Sequence, residues 1–329
     1  MGIKNMLKFL NTNYPNVIRK IDTVNFEGKL IAIDISILLY QVIIAIRNSG
    51  ADLMNNQGEI TSHILGLFNK TINLLKMNII PVYIFDGKPP EFKNKILSER
   101  REIKQKAYNK MQTPLSEEDK IKYFKRTVSI SKAQINECIE LLETMGIPYI
   151  VAEEEADSLC AELVKKGLVD GVLTEDMDIM TFGATKIYRN LTSYKKDNIM
   201  ILMEDILQAL NITYEQFVEL CILFGCDYCE GVKDISPENI YKYYIKNKNI
   251  KDTHTLMKTD GYILPDIDNI YKCKEYFINS QNSIINKINI KKCDVSKLEK
   301  LLVSKYGLVK MKIQDKLIYI TQNFNSKVL

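Results

Sequence analysis

Four short apolar runs stand out along the chain: Lys29–Asp34, Ile79–Asp86, Ile147–Val151 and Asp170–Asp176. Their apolar positions are continuous rather than alternating, turn or polar residues bound them, and helix-like stretches lie between. Runs of this kind predict strands buried on both faces and joined by helices: an α/β fold with a mostly parallel central sheet and helices on both sides. From Tyr214 the pattern turns helical, beginning with Phe217–Phe224, and the last stretch is helical but poor in motifs. Residues 88–132 have a third texture. They are helical in period, thin in apolar positions and interrupted near Thr113-Pro114, which predicts two exposed helices.

Acidic residues fall where this fold collects ligands. Three of the four runs end in carboxylates: Asp34, Asp86, and the cluster Glu175-Asp176-Met177-Asp178. In an open α/β sheet, ligands bind beyond the carboxyl ends of the strands. The run ending at Val151 leads into Glu153-Glu154-Glu155-Ala156-Asp157 at the start of a helical pattern. Acids there also complement a helix dipole, and that reading is kept for Glu153 and Glu154. With Asp227, the candidate set is Asp34, Asp86, Glu155, Asp157, Asp176, Asp178 and Asp227. Packed together without compensation, these groups would repel and be forced to protonate. No matching arginine cluster lies nearby in the sequence, so divalent cations are the simplest counter-charge. All-oxygen ligation favours Mg²⁺ over zinc, with Mn²⁺ able to substitute, and seven carboxylates imply two ions. Two metals suit in-line attack of water on a phosphodiester.

Composition and charge sharpen this picture. The 329 residues are 46% apolar and 26% charged, enough for a sizeable core in one large domain or two modest ones. The apolar run Leu30–Ile46 is too short to span a membrane and contains Asp34, so the chain is expected to be soluble. Seven irregularly spaced cysteines point to reduced thiols and an intracellular protein. Cys226-x-x-Cys229 has no second pair, and only His63 and His254 are present, so neither zinc nor a redox dithiol is favoured. A net charge of +4 decides little. Its distribution decides more: residues 88–132 hold thirteen Lys/Arg against six acids. A basic surface around an acidic, metal-filled pocket fits a nuclease.

Several segments carry a specific resemblance when taken in order. They are Met1-Gly2-Ile3 with Ala32-Ile33-Asp34, Phe85-Asp86-Gly87-Lys88-Pro89-Pro90, Glu155-Ala156-Asp157, Thr174-Glu175-Asp176-Met177-Asp178 with Thr181-Phe182-Gly183, and Leu220-Cys221-Ile222-Leu223 with Asp227-Tyr228-Cys229. Over almost its whole length the chain resembles the flap endonuclease family of structure-specific 5′ nucleases, most closely the eukaryotic and archaeal members. Its compact, AT-rich-genome character suggests a viral or parasite relative. The resemblance implies a PIN-like nuclease core, with nuclease regions at 1–107 and 140–232, a helical arch at 88–132 and a helix–two-turn–helix region within 214–329. It implies that the seven acids hold two Mg²⁺. It also implies that Lys93 and Arg100 clamp the scissile phosphate, seven residues apart and so two helical turns along one face. Tyr40 matches a base-stacking aromatic, Arg47, Lys70 and Arg189 match DNA contacts, and Thr61 and His63 lie in the segment of a 3′-flap pocket. Lys125, Arg126 and Lys132 are further expected DNA contacts in the basic segment.

Two departures stand out. Where the family has a glycine-rich hairpin, this chain has Asp234-Ile235-Ser236-Pro237-Glu238, with Asp234 placed to cap the next helix. Gln314-x-x-Leu317 is followed by Ile320-Thr321 rather than paired aromatics, so sliding-clamp binding is not expected. The resulting expectation is a monomeric, Mg²⁺-dependent 5′ flap endonuclease with 5′–3′ exonuclease activity on branched or 5′-flapped DNA. It would act in replication and repair, in a nucleus or at a viral or cytoplasmic replication site. The alternatives are a mainly exonucleolytic or RNA-cleaving relative, or a non-catalytic junction-binding protein.

Overall fold

The computed structural model describes residues 2–22, 26–90, 93–191, 196–280 and 285–328. In chain order the main elements are α1 (Met6–Asn13), β1 (Ile18–Lys20), β2 (Lys29–Asp34), α2 (Ile35–Arg47), α3 (Ser62–Lys76), β3 (Ile79–Phe85), α4 (Asn94–Met111), α5 (Glu117–Arg126) and α6 (Lys132–Met145). There follow β4 (Tyr149–Val151), α7 (Ala156–Lys165), β5 (Gly171–Leu173), α8 (Asp178–Thr181), β6 (Lys186–Arg189), β7 (Ile199–Leu202), α9 (Met203–Leu210) and α10 (Tyr214–Phe224). The chain closes with α11 (Pro237–Asn247), α12 (Ile250–Thr259), α13 (Ile267–Asn279), α14 (Val295–Lys300), α15 (Lys310–Tyr319) and α16 (Asn325–Lys327). These elements fall into two compact units that share the chain in alternation.

One unit comprises residues 1–25, 86–96 and 152–285. In it β5 runs parallel to β6, with Val172 opposite Ile187. β7 pairs antiparallel with both β6 and β1. α10 is buried along its apolar length, and a Thr213/Gln216 capping box starts it. Phe182, Phe217 and Phe277 fill the core beside it.

The other unit comprises residues 26–85, 97–151 and 286–329. β2 and β3 run parallel, with Ala32 opposite Val82 and Asp34 opposite Ile84, and β3 runs parallel to β4. β2 ends in four consecutive buried residues and β3 is buried over most of its length. That is why both read as unbroken apolar runs. Leu38 and Leu39 of α2, Leu67 and Phe68 of α3 and Leu141 and Leu142 of α6 form its core.

All four expected strands are present, three of them shorter than the apolar runs that marked them. β1, β6 and β7 have no counterpart in the sequence reading. The segment 88–132 forms two helices, α4 and α5, divided around Thr113-Pro114 as expected. The expected two-turn alignment of Lys93 and Arg100 is corrected in one respect: α4 starts at Asn94, so Lys93 stands just ahead of the helix that carries Arg100. Asp234 does not cap α11. Ser236 does, its hydroxyl accepting from the Asn239 N–H, while Asp234 lies in the left-handed region at φ 57°. A short polar side chain tolerates that conformation, so the turn survives without glycine.

Candidate metal and nuclease site

Six of the seven candidate acids lie in the first unit. Beyond β5 the chain makes a polar turn: the Asp176 N–H donates to Thr174 Oγ1 at 3.0 Å, and the Asp178 N–H donates to Asp176 Oδ1 at 3.1 Å. This turn fixes both carboxylates at the start of α8 and buries them, Asp178 to 3% exposure. Asp178 Oδ1 is buried and accepts no hydrogen bond. Burial, then Asp176, Asp227 and Asp157, push the Asp178 carboxyl well above the usual carboxylate range. Burial and Asp227 also raise Asp176, against an opposing hydrogen bond from the Asp178 N–H. The acids therefore sense one another's charge inside a low-dielectric site.

The Phe85-Asp86-Gly87 segment has a structural reason. The Gly87 N–H donates to the Glu154 carbonyl at 2.6 Å and the Lys88 N–H to the Glu153 carbonyl at 3.0 Å. A Cβ on Gly87 would stand 2.2 Å from the Ala152 carbonyl oxygen, so only glycine fits. Asp86 Oδ1 in turn accepts from the Ala156 N–H at 3.0 Å, at the start of α7. The backbone lacing thus places Asp86 beside the Glu155-Ala156-Asp157 segment. Gly2 is similarly constrained, since a Cβ there would fall 1.7 Å from Asp176 Oδ1.

Glu155 precedes α7 and is 7% exposed. Lys93 Nζ donates to its Oε1. The Tyr228 hydroxyl donates to its Oε2, and the Tyr276 hydroxyl reaches the same oxygen at 3.4 Å. Burial opposes the charge on Lys93, but Glu155, with Asp157 and Asp227, outweighs it and raises the ammonium above its ordinary value. Among the described residues no three His, Cys, Asp or Glu side chains are grouped to hold an ion. At Glu155 the positive charge is supplied by Lys93. The donor set fits a hard cation nonetheless. The Asp178 oxygen is a buried acceptor left unmatched, and clustered carboxylates of raised pKa are what a divalent ion would neutralise.

Asp34, the seventh acid, belongs to the other unit. It ends β2 and caps α2, its Oδ1 accepting from the Ser36 N–H at 2.7 Å. In that unit Tyr40 is 42% exposed on α2 and Arg100 is exposed on α4. Lys70 lies half-buried on α3, Lys125 and Arg126 on the last turn of α5, and Lys132 opens α6. Three of the positions expected at nucleic acid also make contacts within this unit. Arg47 makes a bidentate pair with Asp52, donates to the Phe124 carbonyl and stacks 4.1 Å from the Phe124 ring, joining α2 to α5. Thr61 is buried, with its hydroxyl towards the Leu53 carbonyl. His63 is fully buried, its Nε2 2.7 Å from Glu137, and burial lowers its pKa. In the first unit Arg189 is 7% exposed and pairs with Glu175.

Tyr276 carries no sequence signal, since α13 offers only an amphipathic pattern. Tyr228 lies inside the Asp227-Tyr228-Cys229 motif, yet its role at Glu155 is visible only in the fold. All seven cysteines are buried and none forms a disulfide, with the Cys226 and Cys273 sulfurs 3.8 Å apart. Among the described residues no helix is long and apolar enough to cross a membrane.

The XPG N-terminal domain model matches residues 1–107 and the XPG I-region model residues 146–227. Flap endonuclease 1 of Drosophila mojavensis is 40% identical over 301 residues, spanning 88% of this chain and 76% of the relative. The solved flap endonuclease-1 from Methanococcus jannaschii superposes with a TM-score of 0.73 at 30% identity, covering 94% of this chain and 97% of that one. The catalytic core of Rad2 in complex with DNA substrate gives a TM-score of 0.75 at 25% identity, covering 97% and 100% of the two chains.

Proposed function

We propose a catalytic and substrate-binding arrangement from the premise that this chain belongs to the flap endonuclease family: it is a structure-specific 5′ flap endonuclease, a metal-dependent nuclease that hydrolyses phosphodiester bonds. Asp34, Asp86, Glu155, Asp157, Asp176, Asp178 and Asp227 hold two Mg²⁺, for which Mn²⁺ substitutes. The observation that carries this is Asp178, a buried carboxylate whose Oδ1 finds no donor in the protein. Bound there, the ions supply an activated water and neutralise the leaving oxygen of an in-line displacement.

The remaining work falls to the chain itself. The substrate is branched or 5′-flapped DNA. Residues 88–132 form the arch that draws in the flap through unspecific phosphate attraction, with Lys125, Arg126 and Lys132 among the contacts. Lys93 and Arg100 donate to the scissile phosphate, where negative charge grows during the displacement. For Lys93 this means exchanging Glu155 for the phosphate. Tyr40, exposed on α2, stacks on a base beside the cut. Lys70 contacts the duplex. Arg47, Thr61 and Arg189 act one step back: they hold α2 to α5, shape the α3 entrance and offset Glu175. The nuclease regions are 1–107 and 140–232, and 214–329 supplies the helix–two-turn–helix grip on duplex DNA. The protein works as a monomer inside the cell.

A panel of labelled 5′-flap, nick, gap, bubble and single-stranded DNA substrates, with an RNA flap alongside, tests the reading. Mg²⁺-dependent cutting concentrated at the flap junction is expected, abolished by chelation. Equal cutting of all substrates, or activity confined to RNA or to free ends, would overturn it.

A further inference from the structure

Glu155 stands apart from the other acids because its two oxygens are used differently. Oε1 takes the Lys93 ammonium, whereas Oε2 takes the Tyr228 hydroxyl and lies 3.4 Å from the Tyr276 hydroxyl, which Glu154 also engages. The two phenols arrive from separate parts of the first unit, one directly after Asp227 and one from α13. Their rings are locked in a shared aromatic cluster. Tyr228 and Tyr276 lie 5.3 Å apart, Phe182 meets both edge-on at 6.2 and 5.6 Å, and Phe277 meets Tyr228 edge-on at 5.2 Å. Phe182 and Phe277 are each 1% exposed. Rigid rings give fixed hydroxyls, and fixed hydroxyls give one orientation to the carboxylate they bind.

We propose that Tyr228 and Tyr276 are positioning residues for the nuclease reaction: they anchor Glu155 through Oε2 and reserve Oε1 for a cation. Here that cation is the Lys93 ammonium. Resting on the two-metal reading above, the proposal makes Lys93 and a metal ion alternative occupants of Oε1. The tyrosines serve both, because a carboxylate held from behind loses little freedom when it meets its cation. Hydrogen bonds to a ligand's outer side raise metal affinity by roughly 10–100-fold. A weaker alternative is that the phenols only satisfy their own buried hydroxyls. In that case removing a hydroxyl would not act through Glu155.

The test uses the full chain without DNA, with Mn²⁺ as the probe and isothermal titration calorimetry as the readout. Variants are Tyr228→Phe, Tyr276→Phe and Glu155→Ala, and each phenylalanine variant combined with Glu155→Ala. Phenylalanine keeps the ring contacts and removes only the hydroxyl. Each single phenylalanine variant is expected to weaken Mn²⁺ binding about tenfold. The Mg²⁺ concentration for half-maximal flap cleavage should rise in parallel while KM for the flap stays level. In the Glu155→Ala background the same substitutions should change nothing. Unchanged Mn²⁺ affinity in both phenylalanine variants would overturn the proposal, as would an equal loss with and without Glu155. If Glu155→Ala itself leaves Mn²⁺ binding intact, the metal assignment of Glu155 fails, and the positioning role falls with its premise.

Discussion

Replacing Asp178 with asparagine should stabilise the metal-free protein and destabilise it relative to wild type once metal is present. Asp178 is 3% exposed and its Oδ1 has no donor, so without metal the protein holds an uncompensated carboxyl group. Burial and Asp176 raise its pKa well above the ordinary 3.8. A raised carboxyl contributes stability below the ordinary pKa, and that contribution is lost as pH rises through the folded value. The cost therefore grows as pH rises above the ordinary carboxylate range. Asparagine keeps the shape and the backbone N–H bonded to Asp176 Oδ1, and removes the charge. A buried hydrogen-bonding group left unmatched costs on the order of 1–3 kcal/mol and more when it is charged, so removing the charge saves an amount of that order. For a unit of this size each kcal/mol moves the melting temperature by about 2–4 °C. Saturating metal works the other way: an ion at a hundred times its Kd adds about 2.7 kcal/mol to wild type, and the variant forgoes most of it. Melting curves in chelator and in saturating Mg²⁺ should thus rank the two proteins in opposite orders. The variant's advantage in chelator should shrink as pH falls towards the ordinary carboxylate range, and its flap cleavage should be nearly abolished. An asparagine variant that melts below wild type in chelator, or gains as much from Mg²⁺, would refute the reasoning.

Two further outcomes follow from the same geometry. On the proposed arrangement, Lys93→Ala and Arg100→Ala should lower the single-turnover rate far more than flap affinity, since each would be one of many phosphate contacts but both would face the developing charge; a variant that lost affinity at full rate would be a surface contact only. His63, buried with its pKa held below the ordinary 6.5, should make the protein less stable as pH drops beneath that value, by at most about 1.4 kcal/mol per pH unit. Melting profiles of His63→Gln should be flatter there, and an unchanged slope would remove His63 as the cause.

The placement of Asp34 and Asp86 at the ends of β2 and β3 was legible in the pattern. Continuous apolar runs marked β2 and β3, and a carboxylate at each strand's end marked a ligand crevice. The structure adds why the intervening residues are needed: Gly87 must let the backbone close on the Glu153–Glu155 segment. What the sequence could not show depends on pairing between distant residues. β1 is a three-residue edge strand with two exposed positions, and only its partner β7 makes it a strand. Tyr276 meets Glu155 across 121 residues, a distance no local spacing encodes. Arg47 and Arg189 match DNA contacts by sequence, and no local pattern shows that they are also tied into the protein. Their burial depends on Asp52, Phe124 and Glu175 arriving from the fold. Asp234 looked like a cap by residue type, but the left-handed turn moved the cap two positions on, to Ser236.

The alternation of the two units along the chain has a consequence for the protein's birth. The first unit is assembled from residues 1–25, 86–96 and 152–285, so it cannot close until its last segment has left the ribosome. Synthesis proceeds at about 5–20 residues per second, which puts roughly 10–40 seconds between the emergence of Asp86 and that of Tyr276. Through that interval the nascent chain displays some of the acids and the basic α4 and α5, but lacks Asp227 or the α13 that braces Glu155. On the proposed assignment, any product of stalled or curtailed synthesis that ends before Asp227 would lack one of its metal ligands as well as the rest of this unit.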